Sequence, residues 1–410
     1  MTISINHSYF HPESFDYEVV ERKGLGHPDT LADGIAELAE IEYSRYCLSH
    51  FGCIPHHNFD KLMILGGNCI QDFGGGYFKH PIQVIFMGRG TKKFNDIVIP
   101  LEEIQISSAK KYLKRVLPNL DVENPNEITF SSMTSDFTTK SNWFTPSSID
   151  DLPEYSVNGP FANDTATMIS YWPLTTCEQI ALYLESYFYI KNDSGLPLPK
   201  FKEYGQDIKV MVVRDNNEIT ATLAIPQITT YTPSKEVYFK RQNELQSHLE
   251  KIVSEKFPEI NINIIINSND SCYLVTAGSC IDFGEEGAVG RGNKTHGIIS
   301  SFRPNTMEAP HGKNSTYFVG KVLGFQADKI AKEIFEKLAT PCQIILRANI
   351  GDQLYNPSKI IVSTLNEVDK KTVEKIVLNS LNLKRKTTDI LVESMPYLPN
   401  FKEEMFHEEN

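Results

Sequence analysis

The order of predicted helices and strands recurs three times along this chain, and no other feature limits its fold as strongly. Hydrophobic periodicity predicts a helix, two strands and a second helix in each unit. The leading helices begin near residues 30, 176 and 319, a spacing of about 145 residues. The predicted elements are Thr30–His50, Leu62–Leu65, Ile82–Phe86 and Leu101–Val116; then Thr176–Tyr189, Ile208–Val213, Ile219–Ile225 and Lys235–Lys256; then Val319–Leu338, Gln343–Leu346, Ile360–Ser363 and Asp369–Leu381.

The three units share the order of their elements but no evident sequence identity, so a chance alternation is the alternative to a true repeat. Such units bury their apolar faces by packing helices against one side of a sheet. We therefore expect an α+β fold of three pseudo-threefold-related subdomains, each a mainly antiparallel sheet with helices on one face. The expected boundaries are 1–125, 126–268 and 269–410, with the real units interleaved, and further strands at Asn261–Ile266 and Tyr273–Thr276 would widen the sheets.

Composition is that of an ordinary globular protein and narrows the choice of partners. A length of 410 residues allows two or three domains, and 40% hydrophobic with 22% charged residues is typical of soluble proteins. The net charge of −12 argues against nucleic-acid binding, which needs a basic face. The seven cysteines have no C-x-x-C spacing, the N-terminus has no signal-peptide pattern, and no apolar run approaches the ~20 residues of a membrane span. We expect a cytoplasmic protein with reduced thiols, bound neither to nucleic acid nor to membrane.

The segment Glu21–Gly34 combines a basic pair, three glycines, a histidine and three acids, and it runs into a predicted helix. Thr30 is the expected N-cap of that helix, answered by Asp33 three residues later. The N-terminus of a helix attracts phosphate because its N–H groups are free and its dipole is positive there. His27 can donate to a phosphate oxygen and Asp29 can hold a cation. The segment therefore favours a polyphosphate–metal site, and a proline turn that caps an ordinary helix is the alternative.

Two later segments carry charged groups in loops. In the glycine-rich loop Gly284–Lys294, Arg291 and Lys294 could bind phosphate, and Glu285 or Glu286 could bind a divalent cation. A simple turn is the alternative. The segment Arg303–Asn314 adds two more cations, with a solvated loop as the alternative.

Three shorter patterns carry polar groups that allow two interpretations. Lys209 lies within a predicted strand, either as a functional cation or as an edge charge that protects the sheet. Asn163 and Asp164 precede another strand, where a cap or Asx-turn is the alternative to a ligand site. Adjacent His56 and His57 point to opposite sides of a strand, so we do not expect them to share a zinc ion.

Together these segments resemble the archaeal-type S-adenosylmethionine synthetases, also called methionine adenosyltransferases, and the chain resembles a divergent member of that family. Each match alone is weak, but the combination is specific and spans residues 21 to about 351. The matching stretches are Glu21–Asp33, His56–Asp60, Gly66-Gly67, Gly74-Gly75-Gly76, Ala162–Thr165, Pro173-Leu174, Gly205–Met211, Gly287–Asn293, Phe302–Pro304, Met307-Glu308-Ala309, Gly312-Lys313-Asn314 and Ile350-Gly351.

The resemblance implies a three-domain α+β fold with pseudo-threefold symmetry, in a dimer or dimer of dimers with active sites at the subunit interface. It also implies a reaction between ATP and methionine, or a methionine analogue. The sulfur attacks C5′ of ATP, and the released triphosphate is hydrolysed to pyrophosphate and phosphate. Magnesium is required and potassium often assists. A sulfur nucleophile needs no general base, so cations around the leaving group are the expected catalysts.

The resemblance also assigns roles to residues of this chain. His27 and Lys209 would face the triphosphate near the oxygen that bridges to C5′. Arg291 and Lys313 would hold its other phosphates. The full set implied is catalytic His27, Lys209, Arg291 and Lys313; metal-binding Asp29 and Glu285; and substrate-binding Asp60, Asn163, Asp164, Asn293 and Gly351, with the two aspartates of this last group meeting adenosine or the amino group of methionine.

Several positions depart from the family's pattern, mostly away from the residues that handle phosphate. They are Phe130–Met133 for Gly-Gln-Gly-Ser, Thr230–Thr232 for Asp-Arg-Tyr, Glu285-Glu286 for an aspartate, Tyr317-Phe318 for Asn-His, and Asn68 for histidine. The alternatives to a methionine adenosyltransferase are therefore a paralog that adenosylates another thioether or nucleophile, and an inactive relative that binds ATP or S-adenosylmethionine. Retention of the cationic set argues against the inactive relative. A generic ATP kinase is a poor fit because no G-x-x-x-x-G-K-[ST] loop is present.

Overall fold

Helices and strands alternate along the whole chain in a computed structural model that describes residues 1–139, 142–155, 159–192, 196–268, 271–306, 308–401 and 405. Met307, part of one matching stretch, lies outside these residues. The seven α-helices of the described chain are α1 (Pro28–Phe51), α2 (Leu101–Val116), α3 (Thr176–Ser186), α4 (Lys235–Lys256), α5 (Val319–Leu338), α6 (Lys370–Leu381) and α7 (Arg385–Glu393).

The strands range from two to seven residues. Those before α3 are β1 (Thr2–Asn6), β2 (Tyr17–Lys23), β3 (His57–Asn58), β4 (Met63–Leu65), β5 (Asn68–Asp72), β6 (Gly75–His80), β7 (Ile82–Phe86), β8 (Arg89–Gly90), β9 (Lys93–Phe94), β10 (Ile97–Val98), β11 (Ile128–Ser132) and β12 (Ala166–Trp172). Those after it are β13 (Tyr189–Ile190), β14 (Leu198–Pro199), β15 (Lys209–Asp215), β16 (Glu218–Ala224), β17 (Gln227–Ile228), β18 (Ile262–Ile266), β19 (Leu274–Val275), β20 (Gly287–Ala288), β21 (Ile299–Ser300), β22 (Cys342–Ala348) and β23 (Lys359–Thr364).

The three larger sheets of the described chain share one pairing order. Two antiparallel strands lie in the middle, a strand parallel to the second of them lies on one side, and a strand antiparallel to the first lies on the other. The orders are β11-β7-β4-β20, β18-β16-β15-β2-β21 and β1-β23-β22-β12. The predicted α+β class and the three central strand pairs are confirmed. A pseudo-threefold relation among the units stays a prediction.

Each of these sheets is completed by a strand that leads into a different unit. β2 runs directly into α1, yet it pairs with β15 in the second sheet. β12 precedes α3 and pairs with β22, while β20 lies before α5 and pairs with β4. Each of the three larger sheets therefore contains strands from more than one of the segments 1–125, 126–268 and 269–410, and that division itself stays a prediction.

Long periodic elements match their predicted bounds. α2, α4 and α5 begin and end at the predicted residues. α3 is shorter than predicted, because the chain leaves the helix after Ser186 and reaches β13 at Tyr189. The triplet Gly74-Gly75-Gly76 lies between β4 and β7 in sequence, where it forms the turn and the start of the second strand of an additional antiparallel hairpin, β5–β6.

Helix α1 is buried on nearly every side along its first four turns. Leu31, Ile35 and Leu38 belong to the larger of two apolar clusters, and they pack with residues of α2, α3 and the first two sheets. The second cluster joins α5 and α6 to the third sheet. Within the described residues, no helix combines the length and apolar character that a membrane span requires.

Candidate functional site

The Glu21–Gly34 motif runs from the end of β2 into the start of α1. Pro28 is the first helical residue, and His27 is the N-cap, with its Nδ1 accepting the Asp29 N–H at 3.2 Å. The prediction of Thr30 as N-cap is wrong, since its hydroxyl donates to the Lys23 carbonyl at 3.1 Å. Proline has no N–H to lose and a φ already suited to a helix, so it starts α1 two residues earlier.

Gly24 and Gly26 allow the backbone of the motif to lie against the chain that leads into β15. The Gly24 N–H donates to the Ile208 carbonyl at 2.7 Å, and the Gly26 N–H donates to the Gln206 carbonyl at 2.9 Å. A Cβ at Gly24 would lie 2.2 Å from the Ile208 oxygen, so no other residue fits there without displacement.

Lys209 is thereby placed beside the motif. It is the register partner of Lys23 on β2, and its side chain is 43% exposed, with Nζ 3.4 Å from the Glu21 carboxylate. β15 lies between β2 and β16, so Lys209 is not on an edge strand and the edge-charge interpretation is wrong.

His27 presents a neutral ring with a defined proton position. Burial lowers its pKa, against the raising effects of Asp207 and Asp29, so the ring is uncharged near neutral pH. Because Nδ1 accepts a hydrogen bond from the backbone, the ring proton lies on Nε2. The Nε2–H group is therefore a donor at the start of α1, where the helix dipole favours an anion.

Asp29 links α1 to the glycine-rich loop. One oxygen accepts from Lys23 Nζ at 2.9 Å and the other from the Ala288 N–H at 3.1 Å. Asn293 pairs with both backbone groups of Lys23, its Oδ1 2.9 Å from the nitrogen and its Nδ2 2.7 Å from the oxygen. The start of α1, the end of β2 and the 287–293 loop therefore form one hydrogen-bonded cluster, which we call the α1 cluster.

A magnesium ion fits this cluster only with oxygen atoms from outside the protein. Both oxygens of Asp29 are already engaged, no contact joins Glu285 to Asp29 in the described chain, and no group of three or more His, Cys, Asp or Glu residues there can hold a metal. Mg²⁺ commonly binds one or two carboxylates and takes its other ligands from water and substrate phosphates. Asp29 suits that role if Lys23 turns toward a phosphate.

A cavity of about 510 Å³ on the other side of the glycine-rich loop collects four of the predicted residues: Asp60, Asn163, Asp164 and Lys313. Val289 and Gly290 of the loop line this cavity, while the neighbouring Ala288 N–H binds Asp29. The loop is therefore a wall shared by the α1 cluster and the cavity.

Lys313 is the most enclosed cation of the cavity. Its side chain is 6% exposed, it forms an ion pair with Glu308, and its Nζ lies 4.0 Å from Asp60 and 4.5 Å from the centre of the Phe318 ring. A cation over an aromatic face is stabilised by the ring quadrupole. The family's histidine is thus replaced here by a ring that supports Lys313.

Some of the remaining predicted residues make hydrogen bonds that support the backbone, and others are exposed to solvent. Asn163 Oδ1 accepts the Val319 N–H at 2.9 Å, so Asn163 caps α5, and Asp164 Oδ1 accepts the N–H of the next residue, Thr165, at 2.7 Å. The Gly351 N–H donates to the Ala162 carbonyl at 2.9 Å, outside the cavity. Arg291 and Glu285 are exposed, and in the described chain neither side chain makes a hydrogen bond or ion pair.

The solvated-loop interpretation of Arg303–Asn314 is wrong. Arg303 is 4% exposed and donates from Nε and Nη2 to the two carboxylate oxygens of Glu178, each at 2.9 Å. Such a bidentate buried pair is structural, because it holds the segment against α3 and leaves no donor pointed at the site.

The cavity residues that the sequence analysis did not name as site residues include Arg89, Trp143, Phe144 and Tyr317. The Arg89 guanidinium carbon lies 5.1 Å from the centre of the Phe144 ring, and Tyr317 is packed edge-on against His56 at 4.8 Å. Tyr317 was visible only as a departure from the family pattern. Trp143 is one of two tryptophans and lies in a polar stretch, which is the one local signal available for it.

Buried acids along α1 hold both loops of the site. Asp33 accepts the Gly290 N–H at 2.8 Å, Glu37 accepts the Gly312 N–H at 3.0 Å, and Glu40 accepts the Ser315 hydroxyl at 3.0 Å. Together with Asp29 they recur at spacings of three or four residues, which places all four on one face of the helix. We call this set the acidic face of α1.

Lys321 neutralises the far end of the acidic face. Its Nζ lies 2.7 Å from Glu40 and 2.9 Å from Glu37, and it also donates to the Lys313 carbonyl at 2.9 Å. Burial opposes ionisation of Glu40, but Lys321 and the hydrogen bond from His57 lower its pKa to about 2. The backbone of Lys313 is thus fixed by a buried ionic network rather than by solvent-exposed contacts.

Fold and site together define a class: an α+β protein that gathers lysine, histidine and backbone amides at the start of a buried helix. A profile of the family described as S-adenosylmethionine synthetase (AdoMet synthetase) matches residues 2–408. The chain belongs to that family, as a divergent member of the archaeal type.

Individual relatives agree with this membership. S-adenosylmethionine synthases of Methanothermobacter thermautotrophicus and Thermoplasma volcanium are each 32% identical to the chain, over 88% and 90% of both lengths respectively. An uncharacterized protein of Streptococcus pyogenes serotype M3 is 54% identical over 97% of this chain and 98% of its own. An unusual S-adenosylmethionine synthetase from Campylobacter jejuni shares the fold, with a TM-score of 0.58, 17% identity and coverage of 95% of this chain and 92% of that one.

Proposed function

We propose that the chain is a methionine adenosyltransferase, in which the sulfur of methionine attacks C5′ of ATP and releases triphosphate. The observation that carries the proposal is the α1 cluster, where a neutral His27 with its proton on Nε2 lies beside Lys23 and Lys209 at the positive end of a helix dipole. These groups bind a polyanion, and none is arranged as a nucleophile–base pair. The reaction needs that combination, because a thioether requires no deprotonation and the leaving group carries the charge.

Each group of the α1 cluster would act on a different part of the leaving group. His27 donates from Nε2 to an oxygen of the triphosphate as negative charge develops there, and a donor to a charged oxygen is stronger than one to a neutral oxygen. Lys209 and the exposed Arg291, both adjacent to Lys23, supply positive charge. Magnesium, bound through Asp29 and phosphate oxygens, would neutralise further charge. Hydrolysis of the triphosphate to pyrophosphate and phosphate would follow at the same cations.

The cavity beyond the glycine-rich loop suits the amino acid. Asp164 and Arg89 line it, and neither makes an ion pair in the described part of the chain. A zwitterion placed between them would meet a carboxylate with its ammonium group and a guanidinium with its carboxylate. Lys313 lies in the same cavity and would hold phosphate where the two substrates meet.

A second candidate, adenosyl transfer to a different thioether, is favoured by the aromatic lining of that cavity. Trp143, Phe144 and Tyr317 line it, and the last replaces a residue usual in the family. Aromatic rings offer a large apolar contact surface, which suits the side chain of an acceptor other than methionine.

The proposal extends to assembly. We expect a homodimer, or a dimer of dimers, whose active sites lie between subunits, and units related by approximate threefold symmetry. The shared pairing order of the three sheets supports the symmetry. Exposed apolar residues such as Tyr77 and Phe137, 61% and 81% accessible, offer contact surface for a second copy.

The test is mass spectrometry of products from ATP, magnesium and a panel of thioether amino acids. S-adenosylmethionine with stoichiometric pyrophosphate and phosphate would support the proposal. An adduct formed only with a bulkier thioether would favour the second candidate, and no adduct with any acceptor would contradict both.

A further inference from the structure

A second cavity, of about 570 Å³, lies between the later turns of α1 and the start of α7. It shares walls with the cavity of the proposed reaction. Thr316 lines the second cavity, and its neighbours Lys313 and Tyr317 line the first. Volumes of this size are typical of small-molecule sites.

The charged groups of this cavity come from two separate segments: one carries an acid, and the other carries two cations and, one helical turn later, the acid Asp389. Glu154 lies on one segment, while Lys384 and Arg385 lie at the first turn of α7. Arg385 lies 5.6 Å from the centre of the Tyr155 ring, and no ion pair involving it or Lys384 is present in the described part of the chain. Burial raises the pKa of Glu154 to about 7, against the lowering effects of the Thr316 hydroxyl, the Arg385 charge and the Ile54 backbone.

The remaining wall is mixed. Ile54 and Leu354 are fully or almost fully buried, Leu48 is half-buried at the last turns of α1, and these three form its aliphatic part. The uncharged polar side chains that also line the cavity include Thr316, Gln353, Tyr355, Asn356 and Thr388. An occupant with one positive group, one negative group and an apolar body would match the charged groups and the aliphatic part of the lining.

We propose that this second cavity binds a free α-amino acid with an apolar side chain. Its ammonium group pairs with Glu154, its carboxylate pairs with Arg385 and Lys384, and its side chain lies against Leu48, Ile54 and Leu354. Binding in this cavity is independent of the adenosyl transfer proposed above.

The same occupant would regulate the reaction, a consequence that rests on the proposed function. It would contact Thr316, three residues from Lys313. It would also contact Pro160, whose carbonyl accepts the Leu354 N–H at 2.9 Å and which lies three and four residues before Asn163 and Asp164. Both segments that shape the reaction cavity are therefore under the control of one ligand.

Isothermal titration calorimetry on the full chain tests the binding, with L-leucine, L-isoleucine, L-valine and L-phenylalanine as probes. None of these has a thioether, so none can accept an adenosyl group through sulfur. At least one should bind saturably at one site per chain. The matching amide, which lacks the carboxylate, and the N-acetyl derivative, which lacks the ammonium, should each bind at least about tenfold more weakly, as expected for loss of a charge-assisted pair.

Three variants locate the bound probe. Arg385→Glu and the isosteric Glu154→Gln should each weaken binding at least about tenfold, whereas Lys386→Glu, the same charge change one residue away and outside the cavity lining, should not. Lys313→Ala in the reaction cavity should leave the binding of the same probe unchanged. Arg385 is exposed, and an unchanged Tm relative to Lys386→Glu verifies its fold.

The proposal is overturned if no probe binds, if binding survives in both Arg385→Glu and Glu154→Gln, or if only Lys313→Ala removes it. These outcomes do not depend on whether the chain transfers adenosyl groups. Failure of the effector site and failure of the proposed function are therefore distinguishable.

Discussion

The two ring nitrogens of His27 have different tasks. Nδ1 caps α1, and the Nε2–H group remains for a ligand. A single substitution at this position therefore changes both the stability of the helix and the proposed contact with triphosphate. The effects separate only if one variant keeps the cap and loses the donor.

His27→Ala should lower adenosyl transfer on the order of 10²–10³-fold, the usual result of losing one preorganised donor. It should also lower the free energy of unfolding by about 1 kcal/mol, because the N-cap acceptor is lost. His27→Asn keeps a cap acceptor, so it should lose the transfer rate but retain the stability of the wild type. Transfer, hydrolysis of added triphosphate and urea unfolding are measured on each variant.

Hydrolysis should be less affected than transfer, because it breaks a different bond. Equal loss of both half-reactions would mean that His27 organises the whole site. A wild-type transfer rate in His27→Asn would remove it from the mechanism.

Lys313→Ala should lower kcat much more than it weakens adenosine affinity. The proposed partner of Lys313 is the leaving triphosphate, so its contribution grows in the transition state. Lys61→Ala is the matched control, since Lys61 lines the same cavity but is 64% exposed and paired with Asp60 at 2.7 Å. A change of kcat no larger than that of the control would make Lys313 an ordinary loop charge.

Among the helices, α1 does more than contribute its N-terminus. Its acidic face binds the backbone of two loops, one that carries Gly290 and one that carries Lys313, and holds them at fixed distances from each other. Because these acids are buried, each depends on a specific partner. Glu37 and Glu40 share Lys321 as theirs. Charges normally expelled from a core are used here to position the site.

Lys321→Met should lower the free energy of unfolding by roughly 3–5 kcal/mol, because it leaves Glu37 and Glu40 buried without their cation. Lys332→Met is the control on the same helix: its pair with Glu336, at 3.8 Å, is exposed and contributes about 0–1 kcal/mol. Urea unfolding of both variants makes the comparison. Similar losses in the two would show that the buried network is dispensable.

The stability of the acidic face should also depend on pH through His311. Burial alone would lower the pKa of His311, but the Asp33 and Glu37 carboxylates raise it above the ordinary value of 6.5. A raised folded pKa contributes stability that is fully present below pH 6.5 and is lost as pH rises through the folded value.

His311→Gln should therefore destabilise the protein by roughly 1.5–3 kcal/mol at pH 6, the contribution of a charged hydrogen bond, and by less at pH 9. Urea unfolding across this range gives the difference between wild type and variant. A difference that grew with pH would contradict the expected sign.

At the scale of the whole molecule, the predicted catalytic residues are drawn from all three thirds of the chain. Arg291 and Asp164 remain exposed in one copy. We therefore expect a symmetric dimer whose active site takes residues from both subunits. Sedimentation equilibrium at the concentration of the activity assay measures this, and a fully active monomer would contradict it.

Sequence patterns predicted the long elements better than the site. The bounds of α2, α4 and α5 follow from sustained periodicity, which local sequence encodes. The start of α1 does not follow from periodicity, because several residues near Pro28 can cap a helix and the choice among them depends on the backbone at β15. Arg89 and Trp143 were missed since cavity walls are built from segments far apart in sequence, and no local pattern records their packing.

The exchange of strands between units has a consequence for synthesis. The sheet β11-β7-β4-β20 cannot be completed until residue 288 has left the ribosome, and β1 has no partner until β23 emerges as far as residue 364. Unpaired strand edges of a growing chain invite aggregation, and partly formed domains are most exposed to it. Most of this protein must therefore be made before any of its three larger sheets is whole, and the nascent chain depends on protection for nearly all of its translation.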